Sequence, residues 1–287
     1  MRAFLTGATG TVGREVCRGL LAAGAEVRVG TRASSHPGGT LPNVSTVIPL
    51  DFEDPGINRA VFEGVDVFFF MTPLIDDQVA ASIRVLDAAI EAGVRHVVRL
   101  SSRSAGWDQV SVLRLWHREI EDAVRSSGAS WTILRPCSFF QNFIKYQSEA
   151  VRNMSSVVLP LGDGLIPFID VVDIGEAAVK CLLHSEDHAE KTYVLTGGRA
   201  YGAKGVAAEI GRVIAKPVTY IDVEPEQARE MMSQSGVPPW LIEAGLAVFA
   251  HAKAGGEAAV DPALTEIIGR PATSLSEFVE RNRRAWL

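Results

Sequence analysis

Three glycines stand at i, i+3 and i+6 near the start of the chain, in the run Thr6-Gly7-Ala8-Thr9-Gly10-Thr11-Val12-Gly13. That spacing suits a phosphate-binding turn. Gly7 can take the backbone conformation of a sharp turn. A side chain at Gly10 would stand between the backbone amides and a pyrophosphate, and Gly13 lets the following helix lie close on the strand. The unpaired N–H groups of the helix start would face the ligand, with the positive end of the helix dipole behind them. Thr6 and Thr9 add hydroxyl donors, and Thr11 and Val12 complete the turn.

A second group of residues specifies which nucleotide such a turn would hold. After the second apolar run comes Thr31-Arg32-Ala33-Ser34-Ser35, with no acid to bind free ribose hydroxyls. Arg32, helped by Ser34, is therefore expected to accept a 2′-phosphate, which predicts NADP(H); a solvated loop charge is the alternative. Asp51 is placed to contact the adenine amine or to serve only as a turn acid, and Phe52 beside it is expected to contact the cofactor. Thr72 and Pro73, Ser101 and Pro136 each follow a strand, at the carboxyl end where ligands gather in open α/β sheets, and are expected to line the cofactor. Ser102 and the segment Phe139, Phe140, Asn142, Phe143 and Tyr146, joined by Trp240, are expected to form a flat apolar substrate pocket; a place in the core is the alternative for each aromatic taken alone.

The elements that must position these residues alternate along the first half of the chain. Strands are predicted at 2–6, 26–31, 45–49, 66–71, 95–100 and 131–135. Helical patterns lie between them, the strongest over 78–93 with Val79, Ile83, Leu86 and Ile90 on one face. Strands continuous in apolar residues, such as 66–71, suit a sheet covered on both faces. The fold class is α/β, a doubly wound parallel sheet with right-handed crossovers. Beyond about residue 150 the alternation fails. Residues 1–150 are therefore expected to form the nucleotide-binding domain, with 170–196 packing back on it. Residues 151–287 are expected to form mainly a smaller, mixed substrate-binding part, ending in a closing helix over 274–287.

Composition narrows the class further. Of 287 residues, 47% are hydrophobic and 22% charged, as in a globular enzyme. A net charge of -6 with no basic patch argues against nucleic acid as a partner. Cys17, Cys137 and Cys181 form no CxxC pair and are expected to be free, buried thiols. No His/Cys cluster has metal-ligand spacing, so no metal is expected. The apolar runs are too short to cross a bilayer, and the chain opens directly on a strand and turn, so no membrane contact and a cytoplasmic location are expected. Oligomeric state is open, a homodimer being compatible with the sequence.

Several pieces together resemble the NmrA-like branch of the atypical short-chain dehydrogenase/reductases. They are Thr6 to Gly13 (the TGxxGxxG form), Thr31-Arg32, Leu50-Asp51-Phe52, Gly64-Val65-Asp66, Met71-Thr72-Pro73, Ser101-Ser102, His117 with Glu121, Trp131 to Pro136, Phe168 to Asp173, and Pro271 to Ser274. The resemblance spans essentially the whole chain. It implies a Rossmann fold, NADP(H) as cofactor and reduction of a small quinone or polycyclic aromatic molecule.

The larger superfamily carries a Tyr-xxx-Lys acid on the helix after the fifth strand. Aligned on that pattern, Leu113 stands at the tyrosine and His117 at the lysine. His117 is thus implied as a catalytic residue that holds the nicotinamide ribose or relays a proton. The bland alternative is a histidine paired with Glu121 one turn on. Without a phenol, two other functions stay open: a tailoring enzyme of aromatic polyketide biosynthesis with a residual nucleotide site, and a non-enzymatic NADP(H)-sensing regulator.

Overall fold

A computed structural model describes residues 1–32, 44–57, 59–108 and 111–287. Ser34 lies outside them. The chain divides into two compact units. The first comprises 1–107, 114–136 and 171–194, and the second 108–113, 137–170 and 195–287.

In the first unit the strands are β1 (Arg2–Thr6), β2 (Glu26–Thr31), β3 (Thr46–Pro49), β4 (Val67–Phe70), β5 (His96–Leu100), β6 (Ser130–Pro136) and, after β7 of the other unit, β8 (Lys191–Leu195). Their order in the sheet is β3-β2-β1-β4-β5-β6-β8. Every neighbouring pair from β3 through β6 runs parallel. The order reverses between β1 and β4, the switch point of a doubly wound sheet. Helices α1 (Thr11–Ala22), α2 (Gln78–Glu91), α3 (Val112–Ser126) and, after α4, α5 (Val171–Leu183) supply the crossovers and cover.

β4 is buried at every position, as its unbroken apolar run requires. Its Phe68 and Phe70 join Phe4 and Phe62 in an aromatic cluster, with Phe4 and Phe62 centroids 4.5 Å apart and Phe68 and Phe70 5.0 Å apart. Each ring so buried contributes about 1.5–3 kcal/mol.

The second unit holds α4 (Gln141–Met154), the parallel pair β7 (Ser156–Leu159) and β9 (Thr219–Asp222), and helices α6 (Ala203–Ile214), α7 (Pro225–Gln234), α8 (Pro239–Lys253), α9 (Ala263–Ile268) and α10 (Leu275–Arg281). Its core gathers Phe140, Phe143, Val151, Phe168, Phe278 and Trp286, with Phe140 stacked on Phe278 at 5.0 Å. Because Phe140, Phe143 and Val151 are buried in this core, the chain enters the second unit at Cys137. The boundary expected at residue 150 is corrected accordingly.

The closing helix expected over 274–287 is also divided. α10 ends at Asn282, whose side-chain amide donates to the Phe278 carbonyl at 2.8 Å, competing with the helical ladder. A 3-10 turn over Arg283–Trp286 then carries Trp286 into the core. Phe168-Ile169 forms only an isolated bridge, Phe139 with Ile169, rather than a strand.

Candidate nucleotide site and the polar network behind it

The glycine turn joins β1 to α1 at the switch point. Gly7 has φ +70, in the left-handed region that favours glycine, and its carbonyl accepts the Gly10 N–H at 2.9 Å. A methyl group at Gly13 would lie 2.6 Å from the Gly7 carbonyl carbon and 3.0 Å from Ala8 Cα, so α1 can start this close to the turn only with glycine there. Gly10 is the N-cap, offers no side-chain cap, and the first turn of α1 holds no acid. The first amides of the helix are therefore neither capped by a side chain nor faced by an acid of its first turn, and the helix dipole favours an anion there.

Met71, just past β4, lies over the turn, its Sδ 3.2 Å from where a Gly7 Cβ would stand. Thr6 locks this geometry. Its Oγ1 donates to the Met71 carbonyl at 2.6 Å and accepts the Met71 N–H at 2.9 Å, joining the ends of β1 and β4.

Behind the strand ends lies a buried polar network. Arg99, the next-to-last residue of β5, has no exposed surface. Its Nη1 donates to the Phe70 carbonyl at 3.2 Å. Its Nη2 donates to Thr72 Oγ1 at 3.1 Å and meets His117 Nδ1 at 3.4 Å. Gln78 Nε2 donates to Thr72 Oγ1 at 2.6 Å.

Nearby, the buried Glu121 carboxylate on α3 accepts from Ser101 Oγ at 2.5 Å, from Arg135 at 2.9 and 2.6 Å, and from Arg125 at 2.9 Å. Burial alone would raise the Glu121 carboxyl; hydrogen bonds from Arg135 and Ser101 outweigh it and hold the group below the usual carboxylate range. Burial first, then the Arg99 charge, pushes the His117 imidazole down to about 3, with Glu121 opposing and Arg135 adding to the effect. Burial lowers Arg99 to about 9 against the pull of Glu121, so it remains a cation at neutral pH.

The structure sorts the residues singled out in the sequence. Gly7, Gly10 and Gly13 build the turn, with Thr9 and Thr11 exposed on it and Val12 buried beneath. Thr6 is corrected: its hydroxyl is committed to the Met71 backbone and is not free as a phosphate donor. Arg32 is exposed just after β2. Asp51 Oδ1 accepts the Glu53 N–H at 3.1 Å, the bond of a turn acid. Phe52 is corrected from cofactor contact to core, buried among Phe4, Phe62 and Phe68.

Thr72 is nearly buried within the Arg99 network, and Pro73 beside it keeps accessible surface. Ser101 is corrected as well, since its proton goes to Glu121; Pro136 is buried. Ser102 caps the 3-10 turn over Arg103–Gly106, its Oγ accepting the Ser104 N–H. Phe140 and Phe143 are core residues of the second unit and cannot wall a pocket. Phe139, Asn142, Tyr146 and Trp240 keep accessible surface.

His117 does not pair with Glu121, whose oxygens are taken by arginines and Ser101; its partner is Arg99. Burial and the Arg99 charge favour its neutral imidazole form. Leu113 brings no phenol, and the chain's four tyrosines all lie off α3.

Arg99 and Gln78 were not singled out from the sequence, although a charged residue inside the apolar strand His96-Val97-Val98-Arg99-Leu100 is a signal in itself. Cys17, Cys137 and Cys181 form no disulfide and are buried, and burial raises the Cys17 thiol to about 11 and the Cys181 thiol to about 12. Among the described residues no helix is long and apolar enough to cross a membrane, and no three His, Cys, Asp or Glu side chains group to hold a metal.

A parallel sheet with its order reversing beside a glycine turn defines a protein of the doubly wound, Rossmann-type class. The chain belongs to the NmrA-like family, whose model matches residues 2–278. It is 31% identical over 283 residues to an NAD(P)H azoreductase of Xenophilus azovorans, covering 99% of this chain and 98% of that protein. It is also 31% identical to a (4-alkanoyl-5-oxo-2,5-dihydrofuran-3-yl)methyl phosphate reductase of Streptomyces griseus, covering 99% and 98%. The Citrobacter sp. triphenylmethane reductase, solved in complex with NADP(H), superposes with a TM-score of 0.85 at 25% identity, covering 98% of this chain and 99% of that one. An NADPH-dependent quinone oxidoreductase of Escherichia coli superposes with a TM-score of 0.84 at 25% identity, with the same coverage.

Proposed function

We propose that this chain is an NADPH-dependent oxidoreductase that reduces a planar quinone or polycyclic aromatic small molecule. The observation that carries the reading is the glycine turn at the switch point: an acid-free helix start without a side-chain cap, at a spot where glycine is required for packing at position 13. Its relatives' activities on an azo compound, a dye and a quinone support the same class of substrate.

In this reading Gly7, Gly10 and the first amides of α1 hold the diphosphate, Arg32 the 2′-phosphate, and Thr72 and Pro73 line the nicotinamide. When bound, NADPH supplies a hydride equivalent. The chain's own residues bind and orient. His117 stays neutral and serves as a hydrogen-bonding group, and Glu121, held by Arg135, Arg125 and Ser101, fixes α3 on the sheet. Lack of a phenol acid suits acceptors whose reduced form is a delocalised anion that water protonates, so that positioning does most of the catalysis.

The test is calorimetric titration with NADPH and NADH, followed by NADPH oxidation assayed with a naphthoquinone, an azo dye and a triphenylmethane dye. Tight NADPH binding and acceptor-dependent oxidation are expected. Absence of NADPH binding refutes the proposal, as does binding without oxidation by any of the three acceptors.

A further inference from the structure

Arg99 is a buried cation for which the nucleotide reading gives no use. Among the described residues it makes no ion pair. It donates to the Phe70 carbonyl and Thr72 Oγ1, lies over the Phe70 ring at 5.1 Å, and its Nε has no hydrogen-bond partner. Placing a charge in the middle of a parallel sheet without a carboxylate on it is costly.

Its remaining contact is His117 Nδ1, and that contact has only one consistent chemistry. A guanidinium has donors and no acceptor, so Nδ1 must be the unprotonated nitrogen and the ring proton must sit on Nε2. An Nδ1–H tautomer would set two donors against each other, and an imidazolium would add like-charge repulsion. The groups facing the ring from other elements, Arg99 on β5 and Arg135 on β6, are both cations; the one anion, Glu121, is on the ring's own helix and already accepts from Arg135, Arg125 and Ser101.

We propose that Arg99 is a positioning residue: through Nη2 it fixes neutral His117 in the Nε2–H tautomer, presenting that N–H as a donor to a ribose hydroxyl oxygen of the bound nucleotide. The inference rests on the nucleotide reading above for its ligand, but not for its tautomer. The same Nη2 donates to Thr72 Oγ1, so one guanidinium orients Thr72, just after β4, and His117, on α3.

Long-range proton–nitrogen correlation spectra of the nitrogen-15-labelled full chain test this without nucleotide. The His117 signals, among six histidines, are assigned by their absence in His117→Gln. Protonated Nε2 and bare Nδ1 are expected throughout about pH 5 to 8, with a shift of the Nε2–H signal on adding NADPH. Arg99→Gln is expected to give mixed tautomers and to raise the NADPH dissociation constant and KM about tenfold with kcat within about twofold, the scale of one hydrogen bond. Arg99→Lys, which keeps a charged donor, is expected to restore the single tautomer.

A protonated Nδ1 in the wild-type protein, or titration of His117 near its ordinary pKa, overturns the inference even if Arg99→Gln does not fold. So does an Arg99→Gln protein with unchanged tautomer and affinity. The Nε2–H tautomer in a wild-type chain that binds no NADPH instead overturns the functional proposal and the ligand half of this one.

Discussion

Gly10 and Gly13 sit three residues apart in one turn, yet substituting each with alanine is expected to separate binding from folding. A methyl at Gly13 would stand 2.6 Å from the Gly7 carbonyl carbon and 3.0 Å from Ala8 Cα, both backbone atoms, where ordinary contact begins at 3.4 Å. The Gly7 carbonyl oxygen would be closer still, so the helix or the turn must retreat by more than an ångström. Overpacking of that kind costs about 1–3 kcal/mol, and alanine's better helix propensity returns up to about 1 kcal/mol. The net is a loss of about 1–2 kcal/mol, or a fall in Tm of about 2–3 °C for a chain of this size.

A methyl at Gly10 would lie 3.2 Å from the Gly7 oxygen and 3.5 Å from Met71 Cε, and the backbone there, at φ -80 and ψ 176, suits alanine. Gly10→Ala should therefore cost only about 0.5–1 kcal/mol of stability, the loss of a glycine N-cap. Its methyl would nevertheless occupy the approach of a diphosphate to the amides and weaken NADPH binding at least tenfold, about 1.4 kcal/mol. Thermal unfolding and calorimetry on both variants decide it. A Gly10→Ala protein that binds NADPH like the wild type would falsify the phosphate role of this turn, and an unchanged Tm for Gly13→Ala would refute the packing argument.

The other expectations concern charge and hydrogen bonding. His96 is buried between Ser130 Oγ and Thr132 Oγ1, and burial lowers its pKa to about 4. A histidine whose folded pKa is depressed supports the fold fully above its unfolded value of about 6.5. As pH falls toward 4 that support is lost, about 2 kcal/mol at pH 5; His117 acts in the same direction, and urea titrations at several pH values should show the decline. Thr6→Val should remove both Met71 bonds and cost about 1–3 kcal/mol in chemical denaturation, whereas Thr6→Ser should be near neutral; equal stability of the two would show the tie to be unimportant. Arg135→Met leaves the buried Glu121 short of its bidentate partner and should cost about 3 kcal/mol, with Tm unchanged as the refuting result. Arg32→Ala should weaken NADPH binding about tenfold or more while leaving NADH binding within about twofold, read by calorimetry.

The residue pattern by itself determined the alternation of strand and helix, the parallel sheet and the glycine turn. Those rest on local rules: apolar periodicity, β4's unbroken run of phenylalanines, and glycine's conformational freedom. Residue types at strand ends likewise pointed to Arg32 and Thr72. Which way a side chain turns, and whose hydrogen bonds it spends, was decided only in three dimensions. Thr6 and Ser101 look like ligand donors in a linear chain, but packing of β1 against β4 and of α3 on the sheet commits their hydroxyls inward. Phe140 and Phe143 look like a pocket wall, yet the second unit needs them to build a core from segments far apart in sequence. Arg99 is one charge in an apolar strand until folding brings Thr72, from the loop after β4, and His117, from α3, within reach of a single nitrogen. Such long-range satisfaction of buried polar groups has no short-range signature, because the partner is chosen by the fold and not by spacing along the chain.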